Sequence, residues 1–132
     1  MPAFSPGRVM AMAADRRSAE RRGRLAETAA LWGLRLKGYR LLARRFKSHL
    51  GEIDLIMRRG DVTAFIEVKQ RISLDAALIS VTPYQARRIS AAARLWMGRD
   101  RAAAGQACRF DIVAVSPYLW PTHIENAFYG DQ

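Results

Sequence analysis

Apolar residues recur with two different periods along this chain. In "GEIDLIMRRGDVTAFIEVK", Gly51 to Lys69, apolar and polar positions alternate on either side of "RGDV". That pattern predicts two antiparallel strands joined by a two-residue loop at Gly60 and Asp61. Upstream, Leu25, Ala29, Trp32 and Leu36 fall at helical spacing and Gly38 follows, which predicts a helix from Asp15 to Lys37 with this stripe facing the core. A second helix is expected from Thr82 to about Met97, with Ile89, Ala92, Ala93 and Trp96 inward. "GYRLLARRF" and "RFDIVAVS" read as further strands, and a last short one is expected near His123 to Ala127. "QRISLDAALISVTP" reads as a loop with a short helix. Met1 to Ala14, with Pro2, Pro6 and Gly7, reads as a flexible leader ahead of a single domain over 15–132. This order of elements implies an α/β fold, a mixed sheet with helices packed on it.

The tight turn also sets a register. Arg59 should face Val62, Met57 Ala64, Leu55 Ile66, Asp54 Glu67 and Glu52 Lys69. Glu52, Asp54, Glu67 and Lys69 then converge on one side of the hairpin, with Ile53, Leu55, Ile66 and Val68 on the other. Two carboxylates opposed at ~5 Å repel. A divalent cation with oxygen ligands, Mg²⁺ or Mn²⁺, would offset the repulsion at Asp54 and Glu67. Lys69 would then orient or deprotonate an attacking water, or stabilise the transition-state charge of a phosphodiester. The competing reading is a solvated charge ladder in which Lys69 bridges Glu52 and Glu67.

Charge changes the picture further. The 132 residues carry a formal net charge of +10, which favours polyanions, nucleic acid first and anionic membrane second. Arg40, Arg44, Arg45 and Lys47, with Arg35 and Lys37, form a run without an acid and are expected to line a phosphate track, extended by Arg87, Arg88 and Arg94. Arg16, Arg17, Arg21, Arg22 and Arg24 cluster in the first part of the first helix. No apolar run approaches the ~20 residues that span a bilayer. The single cysteine, Cys108, and the lack of a signal-peptide pattern make the cytoplasm the expected location. Cys108 is expected to be an ordinary packing or surface residue, Asp111 a structural partner of Arg109, Trp120 a packing residue and His49 a loop residue near the site.

"GRLAETAA", "GYRLLARRF", "GEIDLI", "FIEVKQR", the helix near "TPYQARRISAAARLW", and "RFDIVAV" together resemble the PD-(D/E)XK nuclease pattern, and specifically the YraN family, which is similar to archaeal Holliday junction resolvases. The resemblance implies a restriction-endonuclease-like mixed sheet of four or five strands flanked by helices. It implies that Asp54 and Glu67 match metal-binding carboxylates, Lys69 the catalytic lysine, and Glu27 the acidic residue of the first helix. Glu52 and Gln70 are accessory candidates, and Gln70 stands where the family commonly has Thr. On a helical projection Glu27 also falls in an apolar sector, where a lone carboxylate needs a partner. A metal or Lys69 would serve, as would solvent or an arginine of the leader.

Three functions compete on these residues. The first is a metal-dependent endonuclease acting on DNA, with branched or recombination intermediates as substrates. The second is a catalytically inactive nucleic-acid-binding module of the same fold. The third is a peripheral membrane protein, disfavoured here because Trp32 and Leu36 are assigned to the core. Symmetric cutting of a four-way junction would need a homodimer, though no self-complementary patch is readable.

Overall fold

The computed structural model describes residues 6–100 and 106–128. Helix α1 spans Pro6–Leu36, followed by strands β1 (Arg40–Lys47), β2 (Glu52–Arg59) and β3 (Val62–Gln70). Helices α2 (Leu74–Ile79) and α3 (Pro83–Arg99) precede β4 (Ala107–Val115) and β5 (Pro121–Ile124). The five strands form one sheet in the order β1-β2-β3-β4-β5. Only the β3–β4 pair is parallel, and the stretch carrying α2 and α3 makes the crossover that a parallel pair requires. This is the mixed sheet flanked by helices of a restriction-endonuclease-like fold.

Local chemistry explains the element boundaries. At the end of α1, Gly38 adopts φ 95°, Tyr39 N–H donates to the Leu34 carbonyl and Gly38 N–H to that of Arg35. This is a glycine-terminated cap that consumes the last free carbonyls. The hairpin turns at Gly60 with φ 62°, and the β2–β3 register pairs Arg59 with Val62, Met57 with Ala64 and Leu55 with Ile66, as the two-residue loop dictates. Thr82 caps α3 by accepting from Gln85 N–H at 3.1 Å, with Pro83 in the first turn.

Helix α1 departs from its sequence pattern in two ways. It begins at Pro6, ahead of Asp15, so residues 6–14 continue the helix, while 1–5 lie outside the described residues. Its buried face is Ala26, Ala30, Leu31 and Leu34, whereas Leu25, Trp32 and Leu36 are 47%, 55% and 87% exposed. Small side chains won because the helix lies close against the sheet. A Cβ on Gly33 would come within 2.8 Å of the Pro121 ring. The ground on which Trp32 and Leu36 disfavoured a membrane role is thereby removed, although among the described residues no helix is long and apolar enough to cross a bilayer.

Two cores sandwich the sheet. Leu55, Met57, Ala64, Ile66, Val113 and Val115 pack under α1, and Ile53, Ile56 and Phe65 pack under Ile89, Ala92 and Ala93 of α3. Ile53 and Leu55, expected on one face, therefore lie on opposite ones. Their β1 partners, Phe46 and Arg44, divide in the same way. The twist between them passes through Arg45, whose φ of 52° is a left-handed conformation. In a non-glycine residue that costs on the order of 1 kcal/mol or more and persists only where surrounding contacts impose it.

Asp111 of β4 is fully buried and takes bonds from Arg109 Nε at 2.8 Å, His123 Nε2 at 2.7 Å and Asn126 N–H at 2.9 Å. Burial pushes its carboxyl up, but the His123 and Arg109 bonds outweigh that and hold it below the usual range. Arg109 also bonds the Tyr39 hydroxyl. Asp111 is thus a strut, as its pairing with Arg109 suggested. Cys108 is exposed. Trp120 is 73% exposed, contrary to its expected packing role, because Pro121 and not the indole fills the space beside Gly33.

Two glycines test the packing. A Cβ at Gly51 would meet the Arg88 backbone carbonyl at 2.5 Å, so Gly51→Ala should lower unfolding free energy by ~1–3 kcal/mol. Gly98, inside α3 with open space around it, should gain ~0.5–1 kcal/mol on substitution by Ala. Denaturant titration of both variants checks the pair, and equal effects of one sign would contradict this packing.

Candidate active site

The backbone ladder between β2 and β3 runs from Arg59–Val62 to Leu55–Ile66 and stops. At the next position Asp54 takes over: its Oδ2 accepts the Val68 N–H at 2.8 Å. The two strands part there, while β3 stays paired with β4 through Glu67, Lys69 and Gln70. Asp54 and Glu67 remain neighbours, close enough for each to perturb the other. The expected Glu52–Lys69 pairing does not form, because the ladder has ended. Glu52 lies opposite Lys47 on β1 and is exposed.

Lys69 turns instead to its own strand and to α3. Its Nζ lies 3.6 Å from Glu67 Oε1, both side chains being only 12% exposed. With its amide oriented to satisfy both ends, Gln85 accepts from Lys69 Nζ at 3.1 Å and donates to the Ser80 carbonyl at 3.2 Å. These groups border a cavity of about 460 Å³ whose wall includes Ser48, Glu52, Asp54, Glu67, Gln85 and Arg88. Burial, with Asp54 beside it, pushes the Glu67 carboxyl up to about 8. Burial also raises Asp54, against the pull of the Val68 bond, and Glu27 pushes the same way. The pair is an acidic site short of positive charge.

Glu27 reaches this neighbourhood from α1, and its partners among the described residues are arginines of β1. Arg45 Nε bonds its Oε1 at 2.9 Å and Oε2 at 3.3 Å, and Arg44 Nε stands 3.6 Å away. Arg44 also bonds the Thr28 hydroxyl at 2.9 Å. The left-handed turn at Arg45 lets consecutive residues of β1 aim at one carboxylate. Arg44 and Arg45 therefore act first as partners of Glu27. Lys47 is exposed at the site end of β1, whereas Arg40, opposite Arg58, stands at the far end. Seven strand steps of ~3.3 Å separate these two ends of the run. Gln70 is exposed and its amide lies by Gly23 of α1. Arg87 and His49 are exposed.

Among the described residues no three His, Cys, Asp or Glu side chains form a metal-binding group. Asp54 and Glu67 nonetheless offer what a small hard cation requires, two oxygen donors whose charge is destabilised by burial and by each other. Mg²⁺ is commonly held by one or two carboxylates with water and substrate oxygens completing the shell. Gln85 was missed in the sequence. The signal was "TPYQ", a Thr-x-x-Gln capping pattern in which the Gln is free to turn away from the cap.

The profile of "Uncharacterised protein family UPF0102" matches residues 26–115, which hold every element from the end of α1 to β4. A UPF0102 protein of Mesorhizobium japonicum is 51% identical over 117 residues, 89% of this chain and 94% of that protein. Another from Methylocella silvestris is 50% identical over 113 residues, covering 86% and 91%. A third, from a Chelativorans species, is 51% identical over 114 residues, covering 86% and 92%.

The raised Glu67 carboxyl carries a pH signature. Folding favours its protonated form, so its stabilising contribution is full below the ordinary value of 4.5 and is lost as pH rises to about 8. Asp54, shifted the same way, adds to the loss. In a chelating buffer, chemical unfolding should show the wild type losing stability between about pH 5 and about pH 9, and Glu67→Gln losing less. An equal loss in both proteins would remove Glu67 as the source.

Proposed function

The chain belongs to the YraN family, UPF0102, and for this member we propose a divalent-metal-dependent endonuclease that hydrolyses phosphodiester bonds in DNA, with branched duplexes as the preferred substrates. The observation that carries the proposal is the half-buried pair Asp54 and Glu67 on the wall of an open cavity, with the Lys69 ammonium 3.6 Å from Glu67. A solvated charge ladder would leave these side chains exposed. With no cation the two acids avoid mutual repulsion by keeping a proton on Glu67, and a cation taking that proton's place would stabilise both carboxylates, which favours a metal-dependent catalyst over an inactive binding module.

Each side chain has a task. Asp54 is fixed by the Val68 N–H and stands on the cavity wall beside Glu67. Glu67 is fixed by β3 and its β4 neighbour Ile112. A Mg²⁺ or Mn²⁺ ion held by these two would supply positive charge to the scissile phosphate and acidify a water. Lys69, positioned by Gln85 and Glu67, places a cation where water attacks phosphorus, either orienting that water or balancing charge as the P–O bond to the leaving sugar breaks. The products are a phosphomonoester and an alcohol. Arg88 lines the cavity and Lys47 a separate groove between α1 and β1, so each can meet a phosphate of a bound strand.

The test is incubation with linear, flapped and four-way DNA, with and without Mg²⁺ or Mn²⁺. Cleavage should require metal and be greatest on branched members. Lys69→Met should slow it by roughly 100-fold or more while DNA affinity stays within a few fold. No cleavage of any substrate would leave the inactive binding module as the better reading.

A further inference from the structure

We propose that residues 6–22, the first part of α1, form a duplex-binding arm that lies along double-stranded DNA leading away from the bond cut at Asp54 and Glu67. The inference rests on the nuclease reading for the position of that bond, and on the arm's own shape and charge for the partner.

The arm stands clear of the body. The first buried residue of α1 is Ala26, and nearly every side chain before it is exposed. At ~1.5 Å per residue the stretch from Pro6 to Arg22 is roughly 25 Å long. It emerges at the catalytic end of the sheet, because Gly23 lies against Gln70, the last residue of β3, and Glu27 is the α1 residue beside Asp54. DNA bound at the site can therefore reach the base of the arm.

Its charge suits that partner. Residues 6–24 contain six arginines against Asp15 and Glu20. Arg17, Arg21 and Arg24 follow one another at helical spacing, and the same side of α1 then presents Thr28, which bonds Arg44. A groove of about 480 Å³ between α1 and β1, where Arg24, Arg45 and Lys47 stand with the acids Glu20 and Glu27, connects the arm to the site end of β1. An α-helix fits the major groove of B-DNA, ~12 Å wide, and a 25 Å arm covers roughly seven base pairs at ~3.4 Å each.

Other occupants fit less well. A second copy would bring arginine against arginine. A lipid surface requires apolar and basic residues on opposite faces, but here Val9, Met10 and Met12 are spread around the helix among Arg8, Arg16 and Arg17. A helix of this length that buries no side chain is marginal in water, so contact with DNA should also steady it.

The experiment measures binding in a chelating buffer, so that no outcome depends on cleavage. Full-length wild type, the double variant Arg17→Gln/Arg21→Gln, and a charge-matched control, Arg99→Gln/Arg59→Gln, both exposed and outside the basic run, are titrated with a duplex of about 24 base pairs over a range of salt, and amide exchange is followed over residues 6–22. The arm variant should lower the salt slope by ~1.8, at ~0.9 per phosphate contact, with the control closer to wild type. A duplex of about 8 base pairs, enough to cover the site alone, should show a much smaller difference between variants. Duplex should protect the arm's amides, and vesicles of anionic phospholipid should not. Equal slopes for the arm variant and the control, protection by vesicles alone, or no binding of duplex would each overturn the proposal. If DNA is cut normally while the slopes are equal, only the arm fails. If nothing is cut while the slopes differ, the nuclease fails and the arm remains as a binding element.

Discussion

The hydrogen bond from Val68 N–H to the Asp54 carboxylate decides the shape of the site. A backbone donor inside a sheet must be satisfied, and normally a neighbouring carbonyl does so. Here a side chain takes that place, so the strands can separate without leaving an orphaned donor. The separation opens the cavity and turns Glu67 and Lys69 toward Gln85 of α3, while the bond itself holds Asp54 in place. One interaction thus ends the ladder, preserves the sheet's hydrogen bonding and presents the acid.

Around that bond, positive charge is distributed unevenly among the acids. Glu27 has Arg45 and Arg44, Asp111 has Arg109 and His123, and Asp54 has a backbone amide. Glu67 has only Lys69 at 3.6 Å, and burial pushes it up furthest, to about 8. In a chain of net charge +10 a poorly neutralised carboxylate is a local property, set by which strand ends near it. The strained backbone at Arg45 belongs to the same arrangement, since it brings two guanidinium groups to Glu27.

Much of this was legible in the sequence. A two-residue turn at Gly60 leaves one register open, so the hairpin, the proximity of Asp54 to Glu67 and the crossing to α3 follow from residue types alone. The α1 stripe was misread because hydrophobicity ranks Leu25, Trp32 and Leu36 above Ala26 and Ala30, whereas close helix-to-sheet packing selects for small volume. The partners of Glu27 were hidden for another reason: no local pattern marks Arg45 as left-handed, and without that turn only one of the two arginines would face the helix. The end of the ladder at Asp54 was equally silent, because alternation in the sequence continues through it.

The parallel pairing of β3 with β4 has a consequence during synthesis. Strands β1, β2 and β3 are joined by short turns and can pair as soon as they emerge, whereas β4 follows only after α2 and α3. Until then β3 is an uncovered edge carrying Phe65 and Ile66, the sort of apolar strand that recruits other chains. Glu67 and Lys69 sit on that same edge and Asp54 beside it. Charges placed on such an edge discourage pairing with foreign strands, so the acids and the lysine that line the cavity of the finished protein also protect the unfinished sheet.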